Sequence, residues 1–228
     1  MKNKNIIWLY IFLFASILHL SFILEGLDSY RFYSKPLILL SLIIYFFQIS
    51  RPISWTLLSK ATMGALIFSW IGDILLLWEN LFVYGLGAFL MAHICYIIAF
   101  KIGQRNPGKI GDINFVKTFL RNLPIYILAA FTYYLINPHL GPLKTPVIIY
   151  IIVIVSMATT ATERYGKCNP ESFWQVFIGA LFFLISDSMI AINKFYQPIE
   201  EAGIIIMGTY CIAQLLIVMG IRAHLIKP

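Results

Sequence analysis

The sequence predicts an all-α membrane protein, a bundle of about eight transmembrane helices, and two observations support this fold class. First, 60% of the 228 residues are hydrophobic and only 12% are charged, a composition too apolar for a soluble domain built around one core. Second, the chain consists largely of apolar runs of about 17 to 25 residues joined by short polar links, the length that crosses a hydrocarbon core roughly 30 Å thick. We therefore expect a single transmembrane domain over residues 1–228.

Each apolar run defines a candidate span, and the second and fifth runs look short. The first span is predicted to be a retained helix rather than a cleaved signal peptide, because its apolar part is long and ends at Glu25 without a small-residue cleavage site. Pro36, Pro124 and Pro146 lie at or near the start of a predicted span, where a missing backbone N–H costs little. The predicted spans are 6–24, 36–49, 61–78, 81–100, 123–137, 145–162, 172–191 and 203–221.

The basic residues indicate topology rather than a nucleic-acid partner, because they flank the spans instead of forming a patch. With eight spans, 13 of the 17 Lys and Arg residues fall on the side of the N-terminus, and four, namely Arg31, Lys35, Lys144 and Lys194, fall on the other side. Cytoplasmic loops carry an excess of Lys and Arg. We expect a multi-pass protein of the cell (inner) membrane with both termini in the cytoplasm. The basic 101–122 link is either an orientation signal or a contact with anionic lipid.

The sequence gives no indication of a metal, another cofactor or a disulfide. Cys95, Cys168 and Cys211 are odd in number and share no spacing. His19 and His139 have no partners at metal-ligand spacing, and no zinc-protease, nucleophile-elbow or phosphate-loop motif occurs. We therefore predict no cofactor and no metal, and chemistry other than acyl-ester hydrolysis. The oligomeric state is not indicated.

Two aspartates, Asp73 and Asp187, lie inside predicted spans, and they are the most informative residues of the chain. An acidic side chain inside a span costs about 2.5 to 3.5 kcal/mol on insertion scales, so it normally faces a protein interior or a water-filled cavity. The segments 64–73 and 179–187 resemble each other, because each begins with Gly-Ala-Leu and ends with a small residue followed by Asp. A purely structural alternative is a buried hydrogen-bonded pair that holds helices together.

Helical spacing places each aspartate on a polar, small-residue face that suits close helix packing. The next helix in each half carries one polar residue after alanine, His93 in the fourth span and Gln214 in the eighth. These parallels suggest two four-helix halves, 1–101 and 122–228. The faces comprise Thr62, Ser69, Gly72 and Asp73 in the third span, and Ser172, Gln175, Gly179, Ser186 and Asp187 in the seventh.

The predicted depths of these residues are not equal. Asp73 and Asp187 are expected at similar depths, about 7 Å from the outer ends of their spans, and His93 about 18 Å from the outer end of its own. A site that uses all three therefore needs tilted helices or an elongated cavity.

The order and placement of four short motifs resemble the YhhN family of membrane proteins, whose characterised members are lysoplasmalogenases. The motifs are Lys35-Pro36, Gly72-Asp73, His93-x-x-Tyr96 and Ser186-Asp187. The resemblance implies an ether hydrolase that takes a lysoplasmalogen from the bilayer and, with water, cleaves its vinyl ether bond. The products would be a fatty aldehyde and a glycerophospho-ethanolamine or -choline.

A vinyl ether yields to acid, so the implied reaction needs a carboxylic acid and a carboxylate, as glycosidases do. We prefer Asp187 as the acid and Asp73 as the base, although the opposite assignment stays open. His93 would position the glycerol or relay protons, unless it only bonds a neighbouring helix. Lys35 would bind the lipid phosphate, unless it snorkels to the interface. The remaining predicted substrate-binding residues are Tyr96, whose alternative is packing, Ser186 and Gln214.

Two other functions are compatible with the same residues. Buried acids and repeated halves are also features of proton-coupled transporters of small molecules or lipids. Against a transporter, no Gly- or Pro-interrupted helix occurs at matching positions of the two halves. The third possibility is a structural or assembly factor, in which Asn replacements of the aspartates would be harmless.

Overall fold

A computed structural model describes residues 2–53, 55–105 and 115–227, and within these ranges the chain is almost entirely helical. Three short 3-10 turns, Glu79–Leu81, Asn137–His139 and Gly141–Leu143, precede or separate the longer elements. The helices are α1 Lys2–Leu24, α2 Asp28–Ile53, α3 Leu57–Leu75, α4 Phe82–Ile102, α5 Phe115–Ile136, α6 Lys144–Thr162, α7 Pro170–Phe195 and α8 Ala202–Ile226.

All eight described helices are long and apolar enough to cross a membrane, which confirms the predicted fold class. The predictions for the second and fifth spans were wrong in length, because α2 has 26 residues and α5 has 22. Pro36 and Pro124 consequently lie inside these helices and not near their starts. A helix can continue past the end of its apolar run because its backbone groups are paired within the helix, while its polar side chains reach the interface.

The chain divides into two compact units, Met1–Ala99 and Phe100–Pro228. The first contains α1 to α3 and most of α4, and the second contains the last turn of α4 and helices α5 to α8. The predicted halves, 1–101 and 122–228, stay a prediction.

Helix registers within the two units agree with the idea of a repeat. Asp73 lies 16 residues after the first residue of α3, and Asp187 lies 17 residues after the first residue of α7. His93 follows the start of α4 by 11 residues, and Gln214 follows the start of α8 by 12. A matching register places corresponding side chains at corresponding heights along their helices, which is what two similar halves would show.

Small residues let the last two helices of each unit approach closely. In the first unit, a Cβ added to Gly72 would lie 2.6 Å from the ring of Phe89. In the second unit, a Cβ on Gly179 would lie 2.9 Å from the backbone oxygen of Ala213. Such contacts show that glycine allows the close approach at both positions, against a side chain at Gly72 and against backbone at Gly179.

Candidate functional site

In the first unit, Asp73 forms a buried ion pair. Its side chain projects from the last turn of α3 and is only 3% exposed. The ammonium of Lys35, on α2, lies 3.7 Å from Oδ1 of Asp73, and the lysine is also buried. Burying either charge alone would be costly, and the opposite charge offsets part of that cost. The sequence-predicted Lys35 thus lies beside one of the two predicted acids.

Two further contacts hold α2 at this position. The indole N–H of Trp70 on α3 donates to the backbone oxygen of Pro36 over 2.9 Å. On the other side of α2, Nδ1 of His19 from α1 lies 2.7 Å from the hydroxyl oxygen of Ser34. The residues on both sides of Lys35 are therefore fixed to neighbouring helices, which limits the movement of its ammonium.

His93 and Tyr96 are both fully buried on α4 of the same unit. Phe89 packs against Gly72, the residue next to Asp73, and His93 lies one helical turn beyond Phe89. The four residues from Phe89 to His93 correspond to about 6 Å along the helix axis. His93 is therefore on the α4 face that packs near Asp73 but farther along the helix, in line with the predicted difference in depth. The roles of His93 and Tyr96 stay predictions.

In the second unit, Asp187 has a neutral partner. The hydroxyl group of Tyr150 on α6 donates a hydrogen bond to Oδ2 of Asp187 on α7, and both residues are buried. Like the ion pair in the first unit, this contact joins the second helix of the unit to the third. The difference is chemical, because a phenol supplies a hydrogen bond without a positive charge.

The two aspartates differ in their distance from the C-terminal ends of their helices, and their similar depth in the membrane stays a prediction. Asp73 lies two residues before the end of α3 at Leu75, whereas Asp187 lies eight residues before the end of α7 at Phe195. The third helix ends early because the chain turns at Leu76 and Leu77 and enters a 3-10 turn at Glu79. The seventh helix continues through its polar residues to Phe195.

The other predicted residues of the second unit are also buried. The Ser186 hydroxyl donates to the backbone oxygen of Ile206 on α8 over 3.0 Å, so it connects α7 with α8. Its oxygen keeps the capacity to accept a hydrogen bond. Gln214 is fully buried on α8. On the predicted polar face of α7, Ser172 and Gly179 are buried and Gln175 is half-buried. Substrate contacts of Ser186 and Gln214 stay predictions.

The sequence did not reveal Tyr150 as a partner of Asp187, nor Trp70 as a residue that holds α2. A signal for burial of Tyr150 exists, since Val147, Tyr150, Ile154 and Met157 follow helical spacing and are all buried. That spacing predicts which face of α6 is buried in the protein. It does not say which residue of another helix lies opposite, because one sequence contains no information on helix pairing.

Arg164, one of the 13 basic residues on the predicted side of the N-terminus, is fully buried between α6 and α7. Its guanidinium donates to the Ser172 hydroxyl over 2.7 Å and to the backbone oxygen of Phe100 over 3.4 Å. Burial lowers the pKa of Arg164, and the contact with Cys168 acts in the opposite direction. Phe100 lies in the last turn of α4, where a positive charge suits the carbonyl end of the helix.

No cluster of three or more His, Cys, Asp or Glu side chains suited to a metal ion occurs in residues 2–53, 55–105 and 115–227. The described partners of the two aspartates include Lys35 and Tyr150. These residues supply protons and hydrogen bonds, so the arrangement suits acid–base chemistry.

The fold and the two buried acids define a multi-pass membrane protein with ionisable groups inside its spans, a feature that is typically functional. The model of the YhhN family matches residues 30–221, and the chain belongs to this family. The resemblance found in the four motifs is therefore confirmed. The match extends from the start of α2 to near the end of α8 and contains every predicted site residue.

Several curated proteins are similar to this chain. Lysoplasmalogenase TMEM86B of Sus scrofa is 34% identical over 173 residues, which are 75% of this chain and 67% of the relative. Lysoplasmalogenase TMEM86B of Homo sapiens is 34% identical over 164 residues, 71% of this chain and 63% of the relative. Lysoplasmalogenase of Mycobacterium bovis is 32% identical over 165 residues, 68% of this chain and 58% of the relative. No solved structure matches.

Proposed function

We propose that this protein is a lysoplasmalogenase, an intramembrane hydrolase that cleaves the vinyl ether bond of lysoplasmalogens. The observation that carries the proposal is the similarity to relatives named lysoplasmalogenase, together with two buried aspartates that each have a hydrogen-bonding or charged partner. The matched regions cover between 58% and 67% of the three relatives described above. The activity of the whole relatives is therefore proposed for this chain, not transferred to it.

The proposed reaction begins with proton transfer to carbon. An acid delivers a proton to the outer alkene carbon, and the electrons of the double bond form the new C–H bond. The cation that results is shared between the inner carbon and the ether oxygen. Water adds to the inner carbon and loses a proton to a base, giving a hemiacetal. The hemiacetal then collapses, so that the glycerol oxygen regains a proton and leaves as the fatty aldehyde forms.

The partners of the two aspartates support the division of roles that the sequence suggested. The ammonium of Lys35 compensates the negative charge of Asp73, which suits a carboxylate that stabilises the cation and accepts a proton from water. Asp187 accepts a hydrogen bond from the neutral hydroxyl of Tyr150, a donor that brings no positive charge to the carboxyl group. In the proposed mechanism Asp187 is the acid that protonates carbon, and Asp73 is the base.

The remaining predicted residues would bind the substrate. The ammonium of Lys35 would attract both the lipid phosphate and the carboxylate of Asp73. Because Lys35 is buried, its charge is held in place and does not move as it would on a flexible surface side chain. His93 and Tyr96 on α4, and Ser186 and Gln214 on α7 and α8, would contact the glycerol and the ether. Water is the second substrate. A proton-coupled transporter is not favoured, because these relatives are named as hydrolases.

We also propose the cell membrane as the location, with both termini in the cytoplasm. The uneven distribution of Lys and Arg supports this orientation. Reporter fusions at each terminus would test it. Activity of a cytoplasm-specific reporter at both ends is expected, and activity at only one end would overturn the orientation.

The decisive experiment is an activity assay on the purified protein with a lysoplasmalogen. Aldehyde release would be followed by coupling to an aldehyde-reducing enzyme. Two matched substrates serve as controls: the sn-1 acyl analogue and the saturated alkyl ether, neither of which has a vinyl ether to protonate. Aldehyde from the lysoplasmalogen alone is expected. Absence of aldehyde would overturn the proposal. Aldehyde release by the Asp73→Asn and Asp187→Asn variants as fast as by the unsubstituted protein would also overturn it.

A further inference from the structure

The structure points to Tyr150 as a positioning residue that determines which oxygen of Asp187 carries the catalytic proton, and we propose this role. The inference rests on the proposed function. Tyr150 belongs to none of the motifs that carry the family resemblance, and its contact with Asp187 became visible only from the packing of α6 against α7.

The hydrogen bond from Tyr150 distinguishes the two oxygens of the Asp187 carboxyl group. A carboxyl group has two oxygens, and a neutral carboxylic acid carries its proton on one of them. The hydroxyl of Tyr150 donates to Oδ2 of Asp187. In a neutral carboxyl group the carbonyl oxygen accepts hydrogen bonds better than the hydroxyl oxygen, so the bond from Tyr150 to Oδ2 favours the form of Asp187 whose proton is on Oδ1. Oδ2 is therefore the oxygen that accepts the hydrogen bond of the phenol, and Oδ1 is the oxygen that carries the reacting proton.

The hydrogen-bond donor has little room to move, because Tyr150 is buried. Tyr150 lies on the buried face of α6 between Val147 and Ile154, and its side chain is 8% exposed. A tyrosine has only two side-chain torsions, so holding it in place costs little entropy. Asp187 lies within the longest polar stretch of α7, beside the buried Ser186 and Ser188. The hydrogen bond thus connects two side chains whose backbones are already packed.

The proposed reaction requires the acid proton to point in a defined direction. Proton transfer to an alkene carbon requires the acid to point along the π lobe, and an aspartate carboxyl otherwise rotates broadly about its last torsion. Orientation of a reacting group is one of the larger contributions to enzymatic rate. A donor that fixes Oδ2 removes this rotation and aims Oδ1. Tyr150 therefore acts through Asp187, without contact to the substrate.

A purely structural role, in which the bond only joins α6 to α7, makes different predictions. It would lower the unfolding temperature of the Tyr150→Phe variant and leave the turnover of folded protein unchanged. A positioning role lowers kcat with little change in KM, because substrate binding does not depend on the direction of the proton.

The test compares Tyr150→Phe with Tyr133→Phe. Tyr133 is a half-buried tyrosine on α5 that lines an apolar groove with Ala129 and Ile148, so the control makes the same chemical change at a tyrosine with no described hydrogen bond to Asp187. We expect Tyr150→Phe to lose about 10- to 100-fold in kcat, on the order of the loss that follows a small misplacement of a reacting group. The KM of both variants and the kcat of Tyr133→Phe stay near those of the original chain. Substitution of Tyr150 by 3-fluorotyrosine, which keeps the hydroxyl, restores most of kcat.

A spectroscopic measurement separates this inference from the proposed function. With 13C-carboxyl-labelled aspartate, the infrared band of Asp187 is assigned by its loss in Asp187→Asn. The band is expected to shift in Tyr150→Phe and to stay in place in Tyr133→Phe. An unshifted band, or an unchanged kcat in Tyr150→Phe, would overturn the inference. If the original chain releases no aldehyde, the proposed function fails, and the infrared band still decides whether Tyr150 holds Asp187.

Discussion

The two compact units place an aspartate at nearly the same register of their third helix but give it a different partner. In the first unit the second helix contributes a cation, Lys35, to Asp73. In the second unit the corresponding helix contributes a neutral hydroxyl, Tyr150, to Asp187. Two carboxyl groups in similar helical settings can therefore differ in charge environment through a single residue on a neighbouring helix. Acid–base pairs in enzymes depend on this kind of difference.

The same units differ in how closely their last two helices approach. Gly72 and Gly85 in the first unit would meet side-chain atoms, of Phe89 and Leu76, if they carried a Cβ. Gly179 and Gly220 in the second unit would also meet backbone atoms. Side chains can shift, whereas backbone atoms of a packed helix cannot move alone. The second unit is thus the less tolerant of added volume.

The largest expected effect is on turnover in Asp187→Asn. The amide has nearly the same shape but cannot donate the acid proton, so kcat should fall by about 10³-fold or more, within the range attributed to acid–base catalysis. Because Tyr150 can still donate to the amide oxygen, the unfolding temperature should hardly change. Aldehyde release and thermal unfolding of the same purified sample measure both quantities. Full activity in this variant would remove Asp187 from the mechanism.

Asp73→Asn should lower both activity and stability, whereas Asp187→Asn should lower activity and hardly change stability. The change removes a negative charge 3.7 Å from the buried ammonium of Lys35. Loss of one partner of a buried ion pair destabilises proteins by about 3 kcal/mol or more. Thermal unfolding of Asp73→Asn is therefore expected well below that of Asp187→Asn, and adding Lys35→Gln should recover part of the difference. Equal unfolding temperatures for the two Asn variants would contradict the role given to the ion pair.

Gly179→Ala tests the close approach of α7 and α8. The new Cβ would lie 2.8 Å from Cγ1 of Ile217 and 2.9 Å from the Ala213 oxygen. Overpacking of this kind costs about 1 to 3 kcal/mol, so the unfolding temperature should fall. Gly208 on α8 is the matched control, because nothing lies within 4 Å of an added Cβ there. A Gly208→Ala variant as unstable as Gly179→Ala would rule out packing as the cause.

Ser186→Ala should have the smallest effect. The variant loses the hydrogen bond to the Ile206 oxygen, a loss of about 1 kcal/mol. Thermal unfolding measures this effect, and steady-state kinetics tests the predicted substrate contact in parallel. A raised KM would support the contact, whereas an unchanged KM would leave Ser186 as a helix link only.

The sequence was sufficient to predict the helices, because hydrophobic length is a local property of the chain. The same holds for Asp73, Asp187 and His93, since a polar residue in an apolar run is visible without a structure. The extent of α2 and α5 was not predicted, because their polar ends continue as helix beyond the apolar run.

The partners of the aspartates required the packing of different helices. Lys35 was found through the family resemblance, but its pairing with Asp73 was not predicted. Tyr150 looked like one more aromatic residue in a span, since tyrosines are common throughout this chain, which has 13 of them. Only the contact between α6 and α7 distinguishes it from the others.

Hydrolysis in D₂O, followed by mass spectrometry of the aldehyde, tests the central claim that a buried aspartic acid protonates the vinyl ether at carbon. The proton added to the outer alkene carbon comes from an acid that has exchanged with solvent. The account predicts an aldehyde with one deuterium on the carbon next to the carbonyl and a slower reaction in D₂O, while preformed aldehyde incubated in the same buffer stays unlabelled. Aldehyde released without deuterium at that carbon, at the same rate in both solvents, would contradict it.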